Sequence, residues 1–292
     1  MYVADEDHEL VYEDWDALEM RLGAYNSEDK NFIEVFRAYD AGEGPKPHIV
    51  NMSVIFGLPA TKEAAEKNPA QYTAAKTFAY AAAYGAGPTT QFEQAREAMP
   101  DLNFKTFMVA LGRYKKQYQR LFQFQQEVVT QGCTKGYLDS PILKRRVYFF
   151  ERGYGESSPE ATAMQNFPYQ SGGSDVVQLA NRRVEEGLVK PWQKKLRKGE
   201  KLVQLAQVHD ELLFLVPKRL VADFKVELKR LSEIEVRRGW KLPVDVKSAT
   251  RWKPVKSRCT ECGDATEMSM TSPDVWEGVC SKKHRVKVEV ML

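Results

Sequence analysis

Cysteine is scarce in this 292-residue sequence, and its four cysteines are unevenly placed. Cys133 stands alone in mid-chain, whereas Cys259, Cys262 and Cys280 lie near the end of the sequence beside His284. This placement excludes a disulfide framework spread over a secreted domain, and it favours a metal site in a protein from a reducing compartment. We therefore expect a cytoplasmic location.

Long hydrophobic runs and an excess of one charge are also absent. No apolar stretch approaches the roughly 18 residues that a membrane helix needs, and residues 1–9 are acidic, so neither a membrane span nor a secretory signal is predicted. Lys plus Arg number 43 against 40 Asp plus Glu, and this net charge of +3 permits nucleic-acid binding without requiring it. Hydrophobic residues make up 43% of the chain, which excludes a wholly disordered protein.

Local patterns predict both strands and helices. Asn68 as an N-cap and Pro69 at the first helical position predict a helix that ends before Gly85. Two apolar runs joined by His209, Asp210 and Glu211 predict a β-hairpin with polar residues at its tip. Further elements are predicted at residues 8–15 (strand), 17–25 (helix), 111–130 (helix), 220–235 (helix) and 242–246 (strand).

Carboxylates gather in two places. Asp210 and Glu211 are adjacent at the hairpin tip, and a second group (Glu13, Asp14 and Asp16) ends the first predicted strand. Clustered carboxylates repel one another unless a cation binds them, and hard oxygen ligands of this kind suit Mg²⁺. The alternative is that each cluster is a solvated turn, and the spacing by itself favours that alternative.

Lys76, Tyr80 and Tyr84 recur every four residues and end at Gly85. On a helix they form one stripe. A cation and two rings on one face can hold a triphosphate and stack a base and sugar. An ordinary amphipathic helix with its rings in the core is the alternative, and the spacing by itself favours that alternative.

Four segments, in order, resemble DNA polymerase family A. Residues 14–21 resemble motif A (D-Y-S-Q-I-E-L-R), and residues 76–85 resemble motif B (K-x-x-x-[FY]-x-x-x-Y-G). Residues 166–170 resemble the N-x-P-x-Q element, and residues 207–211 resemble motif C (Q-V-H-D-E). One such motif is weak, whereas four in order are specific.

The resemblance implies a two-metal polymerase. Asp14 and Asp210 would hold two Mg²⁺ ions, with the main-chain carbonyl of Trp15 as a further ligand and Glu211 as a supporting carboxylate. Lys76 would meet the triphosphate of a deoxynucleoside triphosphate (dNTP) and protonate the leaving group.

The resemblance also implies residues that bind the nucleotide and the DNA. Glu19 would block a ribose 2′-hydroxyl, Tyr80 would lie beneath the sugar, and Tyr84 would guard the templating base. Primer-template DNA would be contacted, mostly without sequence readout, by Arg145, Arg146, Asn166, Gln170, Gln207 and His209. For Arg145 and Arg146 a solvated basic loop is an equal alternative.

The implied fold is α+β. An antiparallel palm sheet would carry Asp14 and Asp210 within a polymerase region at residues 1–254, and a helical fingers subdomain would be inserted at about residues 59–166. Residues 255–292 would form a small zinc-ribbon-like tail. In it Cys259-x2-Cys262 and Cys280-x3-His284 have the number and spacing of ligands for one tetrahedral Zn²⁺ site.

The sequence departs from the family in two ways. Tyr72 and Thr162 stand where the family usually has Arg, and the Arg at the first of these positions grips the triphosphate. Motif A also begins within the first 15 residues, without the thumb or exonuclease that precede it in relatives. We therefore expect one half of a split polymerase, whose thumb and exonuclease lie on a separate polypeptide. By analogy we expect a phage-type polymerase, which would work in the host cytosol.

Two other functions remain open. A non-catalytic polymerase-like module that binds DNA or a replisome partner is favoured by Tyr72 and by the lack of a thumb. A single-subunit RNA polymerase shares the Lys and Tyr-Gly of motif B, but Glu19 argues against it because this side chain would clash with a 2′-hydroxyl.

Overall fold

The computed structural model describes residues 2–150, 159–237 and 239–252, and four strand segments between residues 255 and 289. Its helices are α1 (Leu18–Ser27), α2 (Lys30–Asp40), α3 (Pro47–Phe56), α4 (Lys62–Lys67), α5 (Pro69–Ala83), α6 (Pro88–Ala98), α7 (Phe104–Gln117), α8 (Gln119–Lys135), α9 (Pro159–Val184), α10 (Lys190–Gln193) and α11 (Val221–Ser232). Its strands are β1 (His8–Trp15), β2 (Tyr137–Asp139), β3 (Arg146–Tyr148), β4 (Val203–Val208), β5 (Glu211–Pro217), β6 (Glu235–Arg237), β7 (Trp240–Lys241), β8 (Val244–Ala249), β9 (Val255–Arg258), β10 (Ala265–Ser272), β11 (Val275–Val279) and β12 (Arg285–Glu289). Within these ranges no helix combines the length and hydrophobicity that crossing a bilayer requires.

The chain divides into two compact units. Unit 1 contains residues 1–13, 184–230 and 246–292, and unit 2 contains residues 14–183 and 231–245. Unit 1 carries most of a four-stranded sheet in the order β4-β5-β1-β8, whereas unit 2 is mainly helical. The predicted mixture of helices with an antiparallel sheet is confirmed. The range of about 59–166 expected for the fingers lies within unit 2, and its bounds stay a prediction.

The hairpin of β4 and β5 forms the centre of unit 1. Strand β5 is an almost continuous apolar run and is buried along most of its length, as expected for a strand covered on both faces. Phe214 of β5 packs against Phe224 of α11, with ring centroids 5.4 Å apart. Val208 pairs with Glu211, so the turn consists of His209 and Asp210 alone. The predicted hairpin is confirmed, except that Glu211 belongs to the strand.

Helix α5 lies within the core of unit 2. Its alanines from Ala74 onward are buried, and these small side chains let neighbouring helices approach closely. Phe78, on the same helix, packs against Phe107 and Tyr114, with ring centroids 5.4 and 5.3 Å apart. The predicted start at Pro69 is confirmed, but the side chain of Asn68 does not cap α5, because its Nδ2 donates to the carbonyl of Ala64 (2.8 Å).

The single helix predicted at residues 111–130 is in fact two helices. Tyr118, at φ −117° and ψ 50°, leaves the helical region and separates α7 from α8. Its ring packs against Phe32 at 4.6 Å, and its hydroxyl donates to Asn51 Oδ1 (2.9 Å). Asp29 then accepts from the first turns of both α2 and α8, through the N–H groups of Phe32 and Leu121. Tertiary packing of Tyr118 therefore overrides the helical pattern of the sequence.

Four strands of the C-terminal segment form a second sheet. Their order is β12-β11-β10-β9, and neighbouring strands are antiparallel. The predicted zinc ligands (Cys259, Cys262, Cys280 and His284) lie outside the described residues.

Candidate active site

One face of α5 carries the predicted cation and aromatic rings. Lys76 is exposed, Tyr80 is half-buried, and Tyr84 is the residue that ends the helix. The rings of Tyr80 and Tyr84 lie 6.2 Å apart. The spacing in the sequence therefore does correspond to a continuous, partly exposed surface.

Gly85 fixes how the chain leaves this helix. Its φ is +70°, a conformation that favours glycine, and an added Cβ would lie 1.8 Å from Gln165 Oε1. Any larger residue at this position would have to move Gln165 or the helix end. The position of Tyr84 therefore depends on glycine at the next residue.

Glu19 and Tyr84 are joined by a hydrogen bond between two helices. The Tyr84 hydroxyl donates a hydrogen bond to Glu19 Oε2, which ties α1 to the end of α5. Both side chains are only half-buried. A carboxylate and a phenol ring are thus held together at the edge of the α5 face, where they can meet a ligand.

His48 of α3 joins this face, although the sequence analysis missed it. Its ring centroid lies 5.6 Å from that of Tyr80. Burial lowers the pKa of His48 to about 4; Lys76 and Lys46 lower it further, and Asp16 opposes them. Its Nδ1 is buried without a hydrogen-bond partner among the described residues. A lone histidine after a proline gave no signal, because its neighbours on α5 lie about 30 residues away along the chain.

The first carboxylate group is separated by the fold. Asp14 is exposed near the end of β1, and the adjacent Trp15 is buried. Asp16 instead faces Arg21, whose buried guanidinium donates to Asp16 (3.1 Å) and to both oxygens of Asp40 (2.8 Å each). Asp16 therefore belongs to an ion-pair network, whereas Asp14 is exposed to solvent.

The hairpin turn holds the second carboxylate group. His209 has φ +54°, an uncommon conformation for a residue with a side chain, and it is exposed. Asp210 is half-exposed beside it. Glu211 is 8% exposed and accepts a hydrogen bond from Trp252 Nε1. The turn therefore presents Asp210, while Glu211 is held inside unit 1.

Asp14 and Asp210 each carry hard carboxylate oxygens, the type of ligand that Mg²⁺ prefers. Asp14 lies in unit 2 and Asp210 in unit 1. Across the described ranges, no three His, Cys, Asp or Glu side chains are gathered as a metal site. Mg²⁺ is commonly held by one or two carboxylates together with substrate phosphates, and a role for Asp14 and Asp210 in holding it stays a prediction.

The predicted DNA-contacting residues differ in their exposure and in the hydrogen bonds that they form within the protein. Gln170, Gln207 and His209 are exposed. Arg145 donates to the buried Asp175 (2.7 Å), so part of its function is to hold the segment before β3 against α9. Asn166 is half-buried, and its Oδ1 has no hydrogen-bond partner in the described part of the chain.

Arg146 lies on the short hairpin of β2 and β3. It donates to Asp139 (2.8 and 3.1 Å) and stacks over Tyr137, with its guanidinium carbon 3.7 Å from the ring centroid. The hydrogen bond from Arg146 lowers the pKa of Asp139. The positive charge of Arg146 is therefore partly neutralised within the protein.

Comparison with known proteins identifies the family. A sequence profile of DNA polymerase family A matches residues 1–254. The chain is 24% identical over 258 residues to DNA polymerase I of Streptococcus pneumoniae, which covers 86% of this chain and 27% of that protein. It is 28% identical over 219 residues to the thermostable DNA polymerase I of Thermus aquaticus, which covers 74% of this chain and 24% of that protein. The chain thus spans about a quarter of the length of these curated relatives.

A solved structure supports the fold. The polymerase domain of Pol1 from M. smegmatis, in complex with DNA primer-template and dNTP, matches with a TM-score of 0.66 at 23% identity. The match covers 86% of this chain and 41% of that one. Since the sequence profile extends over most of the chain and the solved domain shares its fold, this chain belongs to DNA polymerase family A.

Proposed function

We propose that this chain catalyses DNA-directed DNA synthesis, the transfer of a deoxynucleotide to a primer 3′-hydroxyl under the direction of a template. The observation that carries the proposal is the α5 face, where an exposed lysine, two neighbouring tyrosine rings and a tyrosine-bound glutamate meet in a chain of family A. A structure of a family domain bound to primer-template and dNTP supports the substrate class.

Lys76 and Tyr80 would bind the incoming nucleotide. Lys76 is exposed, so its ammonium can donate charge-assisted hydrogen bonds to the triphosphate. It can also give a proton to the departing pyrophosphate. Tyr80, held against His48, offers a flat surface to the deoxyribose.

Glu19 and Tyr84 would select the sugar and the base. The hydrogen bond between them fixes the Glu19 carboxylate at one edge of the face, where it blocks a 2′-hydroxyl. The Tyr84 ring, at the end of α5, would cover the position of the templating base until the correct nucleotide binds.

Asp14 and Asp210 would hold two Mg²⁺ ions, together with the carbonyl of Trp15. These ions would make the primer hydroxyl a better nucleophile and stabilise the charge that develops on the phosphates. The exposure of Asp14 and the half-exposed position of Asp210 leave carboxylate oxygens accessible for this role. Glu211 supports the turn from inside, because Trp252 occupies one of its oxygens.

Gln170, Gln207 and His209 would contact primer-template DNA directly, since they are exposed. Asn166 would add its amide. Arg145 and Arg146 would add positive charge to a phosphate contact while they keep their ion pairs. Such contacts position DNA without reading its sequence.

The tail would bind structural Zn²⁺ through Cys259, Cys262, Cys280 and His284. Support comes only from ligand type and spacing. Metal analysis of the purified chain should give one zinc per molecule, and Cys259→Ser should lose it. Unchanged zinc content in that variant would contradict the site.

Single-nucleotide primer extension tests the polymerase directly. The chain is incubated with Mg²⁺, a recessed primer-template and each dNTP separately, alongside Asp210→Ala and the control Asp223→Asn, an exposed aspartate of α11. We expect only the complementary dNTP to be added, by the wild type and the control but not by Asp210→Ala.

Two results would oppose the proposal. Equal extension by Asp210→Ala would mean that the activity does not come from this site. Tight DNA binding without extension would favour the non-catalytic module instead. A thumb and exonuclease on a separate polypeptide stay a prediction, which adding the candidate partner to the same assay can test.

A further inference from the structure

Lys46 lies beside the position where the family's usual arginine is replaced by tyrosine. It immediately precedes α3 and lines a cavity of about 440 Å³ together with Tyr72, Ile49 and Lys62. Tyr72 is on α5, one helical turn before Lys76. All these residues lie in unit 2.

Lys46 also acts on the ring that packs against the α5 face. The positive charges of Lys46 and Lys76, which come from two different parts of the fold, lower the pKa of His48. The His48 ring packs on Tyr80. Lys46 lies two residues before His48, and Lys76 lies one helical turn before Tyr80, whose ring packs on His48. Lys46 therefore connects the cavity at Tyr72 with the surface that contains Lys76 and Tyr80.

This group of cations is only weakly neutralised by the protein. Neither Lys46 nor Lys76 forms an ion pair with a carboxylate in the described residues, whereas Lys62 is paired with Glu66 (3.6 Å). The opposing charge at His48 is Asp16, which is already bound to Arg21. Two lysines near a half-buried imidazole, whose Nδ1 has no hydrogen-bond partner in the described part of the chain, make a site suited to an anion of several charges.

We infer that Lys46 is a second cation for the triphosphate of the incoming nucleotide and replaces the arginine that Tyr72 displaces. This inference rests on the proposed function, since it assigns a residue to the same nucleotide-binding surface. Tyr72 can offer a hydroxyl but no charge, while the flexible stem of Lys46 can carry its ammonium past the Tyr72 ring toward Lys76.

Kinetics of Lys46→Gln test the inference. A lysine that binds the phosphates equally in the ground and transition states changes KM more than kcat. We expect KM for dNTP to rise about 10- to 100-fold, the loss of one charge-assisted contact, with kcat changed by less than about threefold. Lys62→Gln is the matched control, because this lysine lines the same cavity but is paired with Glu66. It should keep the wild-type KM.

A second variant asks whether Lys46 and position 72 serve the same phosphate. Tyr72→Arg restores the missing cation, so Tyr72→Arg in the Lys46→Gln background should recover most of the lost affinity. The double-mutant cycle should therefore show strong coupling. Independent effects of the two substitutions, or an unchanged KM in Lys46→Gln, would overturn the inference.

A binding measurement separates this inference from the proposed function. Calorimetric titration of dNTP into the chain bound to a dideoxy-terminated primer-template needs no catalysis. Weaker binding by Lys46→Gln, with no extension by the wild type, would support the role of Lys46 and contradict the polymerase. Equal binding by Lys46→Gln and wild type, or no binding by the wild type, would overturn the role of Lys46.

Discussion

The α5 face and the β4–β5 turn hold their side chains in opposite ways. On α5, Lys76 and Tyr80 extend from a regular helix whose alanines are buried in the core, so their spacing follows from helix geometry. At the turn, Asp210 follows a histidine with φ +54°, and the neighbouring Glu211 is buried against Trp252. The helix offers a surface for a large anion, while the turn offers one carboxylate at a fixed point.

The α5 face and the β4–β5 turn therefore suit different functions. A regular helix face tolerates adjustment and suits the binding of an extended nucleotide. A strained two-residue turn suits a group that must not move, because surrounding structure has to maintain the strain. We therefore expect substitutions on the helix to alter affinity and selectivity, and substitutions at the turn to alter the rate of chemistry.

The largest effect expected on the helix side comes from Gly85→Ala. The positive φ and the contact with Gln165 should destabilise unit 2 by about 2–4 kcal/mol. Thermal unfolding should show a melting temperature lower by roughly 5–15 °C. Gly87→Ala is the control, since nothing lies within 4 Å of its added Cβ. An equal loss of stability in both variants would mean that neither the positive φ of Gly85 nor its contact with Gln165 causes the loss.

Lys76→Gln should come next in size. Loss of a charge-assisted hydrogen bond of about 1.5–3 kcal/mol should lower kcat/KM for dNTP about 10- to 100-fold, without a change in melting temperature. Steady-state primer extension measures it, with Lys67→Gln on the exposed side of α4 as the control. A normal kcat/KM in Lys76→Gln would show that the triphosphate does not bind at the α5 face.

His48 should make the stability of the helix side depend on pH. Its pKa falls from 6.5 in the unfolded chain to about 4 in the fold, mainly through burial. The unfolded state therefore binds the proton more readily, and the free energy of unfolding should fall by about 1–3 kcal/mol as the pH drops from 6.5 to 4. Urea unfolding of wild type and His48→Gln at both pH values measures this contribution. The same acid loss in both would show that His48 does not cause it.

Glu19→Ala should have the smallest effect on the rate and a clear effect on selectivity. Without the carboxylate held by Tyr84, the preference for dNTP over ribonucleotide should fall about tenfold, while dNTP addition continues. Competition between the two nucleotides measures the ratio. Glu34→Ala, an exposed glutamate of α2, is the control and should keep the wild-type ratio. An unchanged ratio in Glu19→Ala would separate this residue from the sugar.

The sequence predicted the features that depend on a single helix or a single hairpin. The stripe of Lys76, Tyr80 and Tyr84 follows from the helical period, and the hairpin follows from two apolar runs around polar residues. Both are confirmed, since each depends on residues close in sequence.

Contacts across the fold could not be predicted in this way. His48 reaches Tyr80 from another helix, and Arg21 is buried between Asp16 and Asp40, which is 19 residues away. Nor did the pattern predict the break at Tyr118, whose ring packs against α2 and whose hydroxyl donates to α3. Each depends on a packing arrangement that local periodicity does not contain.

The proposal that Asp14 and Asp210 hold the same two Mg²⁺ ions is the central claim of the proposed function. Single-turnover primer extension with Asp14→Asn, Asp210→Asn and the double variant tests it most directly. If both hold the same pair of Mg²⁺ ions, each single substitution should slow the reaction by about 10³-fold or more, and the double variant should be hardly slower than either. Substantial activity in either single variant, or independent effects that multiply in the double variant, would contradict a shared two-metal site.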